Sequence, residues 1–202
     1  MPANLDPDAA LMLRVKRGDT AAFTELVDKF KQPVINLAYR TLHDLTEAED
    51  LAQNAFVQVF KSAARYEPSA KFSTWLFTIA RNLCLNEIRR RARHPADSLD
   101  QTAAETDDHP LRQVEDKGVS SPPEQLLRGE LEEKVERALA ELPENQRTAL
   151  LLCRQEELSY EEIAAVLGCS LSATKSLIHR ARETLKARLK PYLQTGAWRK
   201  NK

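Results

Sequence analysis

Leu158-Ser159-Tyr160-Glu161-Glu162-Ile163-Ala164-Ala165-Val166-Leu167-Gly168-Cys169-Ser170-Leu171 reads as a helix, a tight turn and the start of a second helix. Ser159, with Glu162 three positions on, forms a capping box that satisfies two otherwise orphaned backbone donors and marks a helix start. The helix runs to about Leu167. It stops at Gly168, where glycine adopts the left-handed backbone that closes a helix without a Cβ clash. Ser170 can cap the second helix. Leu171, Ile178, Ala181 and Leu185 share one face of that helix, while Lys175, His179, Arg182 and Lys186 face elsewhere. Helix, glycine turn and basic amphipathic helix is the helix-turn-helix arrangement. Its second helix fits the major groove, where Lys or Arg donates to guanine edges. The competing reading is a plain helical hairpin with a solvated basic face.

Outward from this stretch the chain stays helical. Ser121-Pro122-Pro123-Glu124 holds a cap, a proline suited to the first helical position and a second capping box, and Pro143 opens another helix after Leu142. These signals define a domain over 121–193. Before it, residues 95–120 lose all periodicity and gather Asp97, Asp100, Glu105, Asp107, Asp108, Glu115 and Asp116, the composition of a flexible acidic linker. A first domain occupies 7–94. Phe23, Leu26, Val27 and Phe30 form a stripe that Pro33 is expected to kink or end. Thr46-Glu47-Ala48-Glu49 reads as a capping box opening a helix striped by Leu51, Ala52, Ala55, Phe56, Val59 and Phe60. Tyr66 to Lys71 is turn-like, and a further helix runs from Phe72 to about Arg93. With five glycines in 202 residues and almost no period-two alternation, the expected fold is all-α: two small helical domains on a tether.

Thirty basic and thirty acidic residues cancel, but their distribution does not. Arg81, Arg89, Arg90, Arg91 and Arg93 are opposed locally only by Glu87, and Lys175, Arg180, Arg182, Lys186, Arg188 and Lys190 only by Glu183. Two basic helices flank an acidic segment, the electrostatic footprint of a nucleic-acid binder. Cys84, Cys153 and Cys169 are odd in number, far apart and in apolar settings, which argues for core residues over a zinc site or disulfides. There is no glycine-rich phosphate loop, and none of His43, His94, His109 and His179 sits in a nucleophile–base motif. The expectation is therefore a protein that is not an enzyme, with no cofactor and no metal. No apolar run is long enough to span a membrane, and the N-terminus lacks a signal-peptide pattern, so a cytoplasmic location without membrane insertion is expected.

Leu158-Ser159-Tyr160-Glu161-Glu162-Ile163-Ala164 followed by His179-Arg180-Ala181-Arg182 closely resembles region 4 of the sigma-70 family of bacterial RNA polymerase sigma factors, which reads the −35 promoter element. Ala48-Glu49-Asp50-Leu51-Ala52-Gln53 with Ala55-Phe56 resembles region 2.2, and Phe72-Ser73-Thr74-Trp75-Leu76-Phe77-Thr78-Ile79-Ala80-Arg81-Asn82 is similar to region 2.3 of the extracytoplasmic-function (ECF) branch. Together they span about 160 residues, with the acidic linker where larger relatives carry extra regions. Asn54 and Ala173-Thr174 depart from the family pattern, and Glu67-Pro68-Ser69 lies in a loop that varies among relatives.

The resemblance implies a promoter-reading subunit that docks on core RNA polymerase through the β′ clamp coiled coil and the β flap, recognises promoter DNA and helps to melt it. Glu49, Asp50 and Gln53 would dock on the coiled coil. Lys175, Ser176, His179, Arg180 and Arg182 would meet the −35 element. Asn82, Asn86, Arg89 and Arg93, spaced to share one helical face, would meet the −10 element together with Tyr66 and Phe72, whose rings bracket the loop and can stack on unpaired bases. Core packing is the plainer alternative for both rings and for Trp75. Many relatives are restrained by an anti-sigma factor, so such a partner belongs to the expectation. The runner-up is a stand-alone helix-turn-helix regulator, which leaves the first domain without a role.

Overall fold

Asp6 opens the first helix: its carboxylate accepts the Ala9 N–H at 3.3 Å, and Pro7 stands next, where a missing N–H costs nothing. The structure, a computed structural model, describes residues 5–93, 122–154 and 158–195, with side chains described except at 122–128 and 193–195. These residues form helices α1 (Pro7–Lys16), α2 (Thr20–Leu42), α3 (Leu45–Ser62), α4 (Phe72–Arg93), α5 (Pro122–Ala140), α6 (Glu144–Cys153), α7 (Tyr160–Leu167) and α8 (Leu171–Thr195), with one 3-10 turn at Ala63–Arg65. No strand occurs among the described residues. The linker expected at 95–120 and the Ser121 cap lie outside them.

Two expectations are corrected. Helix α2 does not end at Pro33 but runs through it. An internal proline costs about 3 kcal/mol, yet Phe30, Val34, Ile35, Leu37 and Ala38 are all buried around it. Each large apolar side chain so buried contributes about 1.5–3 kcal/mol, so packing on both sides outweighs the lost bond. The cap of α3 is Asp44 rather than Thr46: its side chain accepts the Glu47 N–H at 2.8 Å, and the helix starts at Leu45. Glu47, at the third helical position, gives its backbone N–H to that cap and its carboxylate to Arg91 of α4.

Helices α2, α3 and α4 pack round a core that includes Leu26, Phe30, Val34, Val59, Phe72, Leu76 and Phe77, with Met12 inserted from α1. Helices α5, α6 and α8 enclose a smaller cluster of Leu139, Leu142, Leu150 and Ala181. The two halves also pack on each other. Leu151, Leu152, Leu158, Ile163, Val166 and Ile178 join the first core, and α4 lies against α7 while α2 meets α5 and α6. Polar contacts reinforce the seam: Arg40 pairs with Glu136 at 2.9 Å, Arg81 donates to Asn145 at 2.9 Å, and Lys71 pairs with Glu162 at 3.1 Å.

Candidate nucleic-acid interface and docking surface

The helix-turn-helix has the expected geometry. Ser159 caps α7, with both bonds of the capping box made, and Gly168 takes φ +66°. Ser170 accepts the Ala173 N–H at 3.2 Å at the start of α8. Inside α8, Ile178 and Ala181 are buried, as is Thr174, whose hydroxyl bonds back to the Ser170 carbonyl at 3.1 Å and meets the Cys169 sulfur at 3.2 Å. The departure Ala173-Thr174 is thus absorbed in packing at the turn.

Opposite that buried face, Lys175, Ser176, His179 and Arg180 are exposed and line one shallow concavity with Leu171 and Ser172. Among the described residues neither Lys175 nor Arg180 forms an ion pair. Cations left without protein partners on a concave helix face are suited to phosphate and base-edge acceptors. Arg182 belongs elsewhere. Its guanidinium turns back to the Cys153 sulfur of α6 at 3.3 Å, so it does not share the surface of the other four.

In the first half, Asn82, Asn86, Arg89 and Arg93 are all exposed along α4. The neighbouring arginines are structural: Arg90 pairs with Glu87 at 2.9 Å, and Arg91 bonds the Leu42 carbonyl and Glu47. The Arg90 bond, with Arg91 also close, holds the Glu87 carboxyl below its ordinary range. The basic run is therefore divided between lattice and surface, a division that sequence spacing does not show. Asn86 also borders a groove between α3 and α4 with Glu47, Asp50, Asn54 and Arg90.

Tyr66 and Phe72 are not at a stacking surface. Tyr66 is 5% exposed and Phe72 fully buried, with the Tyr66 ring 5.0 Å from Trp75 and Phe72 5.5 Å from Phe30. Both belong to the core, where Trp75 packs against the two rings. Burial, with Asp6 and Asp8 nearby, pushes the Tyr66 hydroxyl up to about 12. What the loop exposes is Glu67 to Lys71.

Glu49, Asp50 and Gln53 are exposed along one edge of α3. The same exposed side continues through Val57 and Phe60, about half exposed, with Phe60 leaning on Phe23 at 5.1 Å. An acidic edge that runs into an apolar one suits a basic amphipathic partner. Sequence reading missed Val57, and its placing of Phe60 in the apolar stripe is corrected: Leu51, Ala52, Ala55, Phe56 and Val59 are buried, whereas Phe60 lies at the edge of that stripe and stays exposed. It also missed the part of His43, the one described non-glycine residue with positive φ (57°), whose imidazole meets the Arg147 guanidinium at 2.8 Å. No cluster able to hold a metal, and no helix long and apolar enough to cross a membrane, occurs among the described residues.

Comparison with known proteins gives two family-model matches: Sigma-70 region 2 over residues 26–94 and Sigma-70, region 4 over residues 132–185. The chain is 39% identical to the RNA polymerase sigma-H factor of Pseudomonas aeruginosa, across 94% of this chain and 97% of that protein. It is 35% identical to the ECF RNA polymerase sigma factor SigW of Bacillus subtilis, across 88% and 94%. Among solved structures, CnrH in complex with the cytosolic domain of CnrY superposes with a TM-score of 0.65 at 26% identity, covering 92% of this chain and 99% of that one. RpoE of Bartonella quintana, in complex with the anti-sigma factor NepR, does so with a TM-score of 0.65 at 27% identity, covering 83% and 96%.

Proposed function

This chain belongs to the sigma-70 family, in its extracytoplasmic-function branch, and from that premise we propose that it is a promoter-reading subunit of bacterial RNA polymerase. It binds core polymerase, directs it to particular promoters and assists strand opening, without chemistry of its own. The observation that carries the reading is the pairing of both sigma regions, in order, on a chain that matches the sigma-H factor and SigW over nearly their whole length.

Three surfaces divide the labour. Lys175, Ser176, His179 and Arg180 of α8 read the −35 element, with the guanidinium and ammonium as donors to base edges or phosphates. Asn82, Asn86, Arg89 and Arg93 of α4 take the −10 element: amides match the mixed donor and acceptor edges of an unstacked base, and arginines hold the backbone. The exposed loop 67–71, which leads into α4, is the base-capturing element, with the buried Tyr66 and Phe72 at its two ends. Glu49, Asp50 and Gln53 of α3 dock on the β′ clamp coiled coil, and the second half meets the β flap. An anti-sigma factor is a fitting regulator, since CnrH and the RpoE of Bartonella quintana were each captured with a partner.

Co-elution with purified bacterial core polymerase tests the reading. The protein is expected to co-elute in the absence of DNA, and Asp50→Lys to weaken that association irrespective of promoter. A stand-alone regulator has no need of core polymerase, so failure to co-elute would restore that alternative.

A further inference from the structure

The exposed loop 67–71 is held at both ends by a helix outside the matched family region, which begins at residue 26. At its start, the Lys16 ammonium donates to the Tyr66 carbonyl at 2.9 Å. At its end, Asp6 Oδ2 accepts the Phe72 N–H at 2.9 Å, the same oxygen that accepts from Ala9 to cap α1. Among the described residues Asp6 is thus the cap of two helices, α1 and α4. Between these anchors the chain makes one tight turn, with the Ser69 N–H on the Glu67 carbonyl at 2.8 Å, and every residue from Glu67 to Lys71 is exposed.

We propose that α1 is a clamp that pre-shapes this loop for base capture, with Asp6 and Lys16 as positioning residues. The inference rests on the reading of loop 67–71 as the base-capturing element. An exposed segment that must order itself around an extruded base loses conformational freedom at that moment. One whose ends are already fixed loses much less, and its grip on the base is correspondingly tighter. Lys16 and Asp6 fix backbone atoms of Tyr66 and Phe72, so they set the loop's span without touching nucleic acid.

The test uses the full-length protein with core polymerase, on a duplex template from which the wild type directs run-off transcription and on the same template with a mismatched bubble. Lys16→Ala, Lys16→Arg and a loop variant, Pro68→Gly with Ser69→Gly, are compared for thermal midpoint, core binding, rate of strand opening by permanganate footprinting and lifetime on the bubble template. Lys16→Ala is expected to keep wild-type core binding and a near-wild-type midpoint, yet to open the duplex about tenfold more slowly and leave the bubble about tenfold faster. Lys16→Arg should restore most of both. If the loop variant is impaired while Lys16→Ala matches wild type, the clamp is overturned and the loop reading stands. If neither variant is impaired, the loop reading falls and the clamp falls with it. Should Lys16→Ala and Lys16→Arg be equally slow with lowered midpoints, Lys16 is merely structural and the clamp is again overturned.

Discussion

Arg180 and Arg182 stand two positions apart in one helix, in different surroundings. Arg180 opens onto the concave face with Lys175, whereas Arg182 rests on Cys153. Arg180→Ala or Lys175→Ala should therefore weaken use of the upstream element by about 1–3 kcal/mol, the worth of a good base contact, while Arg182→Ala should cost less there. Titration of transcription against templates with intact and scrambled −35 elements measures the difference. The cysteines divide similarly. Burial pushes the Cys84 thiol up to about 12, while Cys153 and Cys169 are partly exposed. A thiol reagent at neutral pH should modify the latter two and reach Cys84 only on unfolding. Residue types and spacing made the exposed faces of α4 and α8 legible in the sequence. Tyr66 and Phe72 were not, since an aromatic ring beside a loop looks the same whether it stacks on a base or fills a cavity.

Local signals at element boundaries were read well where they act within a few residues. The capping box of Ser159 and Glu162 and the left-handed Gly168 lie where the sequence put them. They were read less well where several caps compete: Asp44 lies two residues before Thr46 and starts the helix first. Of the two outcomes open at Pro33, a kink or an end, the end is excluded by the burial on either side of it, of which local propensity says nothing. Nothing lies within 4 Å of a Cβ built at Gly168, so Gly168→Ala meets no clash and suffers only the left-handed backbone cost of about 1–2 kcal/mol. Thermal denaturation should show that loss, and Gly168→Asn, which tolerates the conformation, a smaller one. If Gly168→Ala were neutral, the turn would not be what sets α7 against α8.

Across the whole molecule, the seam between the halves was invisible in the sequence, because Arg40 with Glu136, Lys71 with Glu162 and His43 with Arg147 pair positions dozens of residues apart. Desolvation, then Arg147 and Arg91, lowers the His43 pKa from 6.5. As pH falls through that value the unfolded chain takes up a proton that the folded imidazole resists. Stability is thus highest above it, declines on acidification and levels below the folded pKa. His43 retains an exposed edge, so the effect is modest. His43→Asn, which keeps an acceptor and tolerates positive φ, should flatten the denaturation midpoint between about pH 7.5 and 5.5. Zero net charge sets a further expectation: the basic faces of α4 and α8 work within a neutral molecule, so the free protein should bind duplex DNA weakly and with strong salt dependence. Tight, specific binding by the free protein would speak for a stand-alone regulator. The central claim is that the chain confers promoter recognition on a polymerase that lacks it, and run-off transcription with purified bacterial core polymerase on a library of upstream genomic fragments tests it most directly. The account predicts discrete run-off products from a small set of fragments, present only when the protein is added and lost with Asp50→Lys. Transcripts identical with and without the protein, with core polymerase otherwise active, would contradict it.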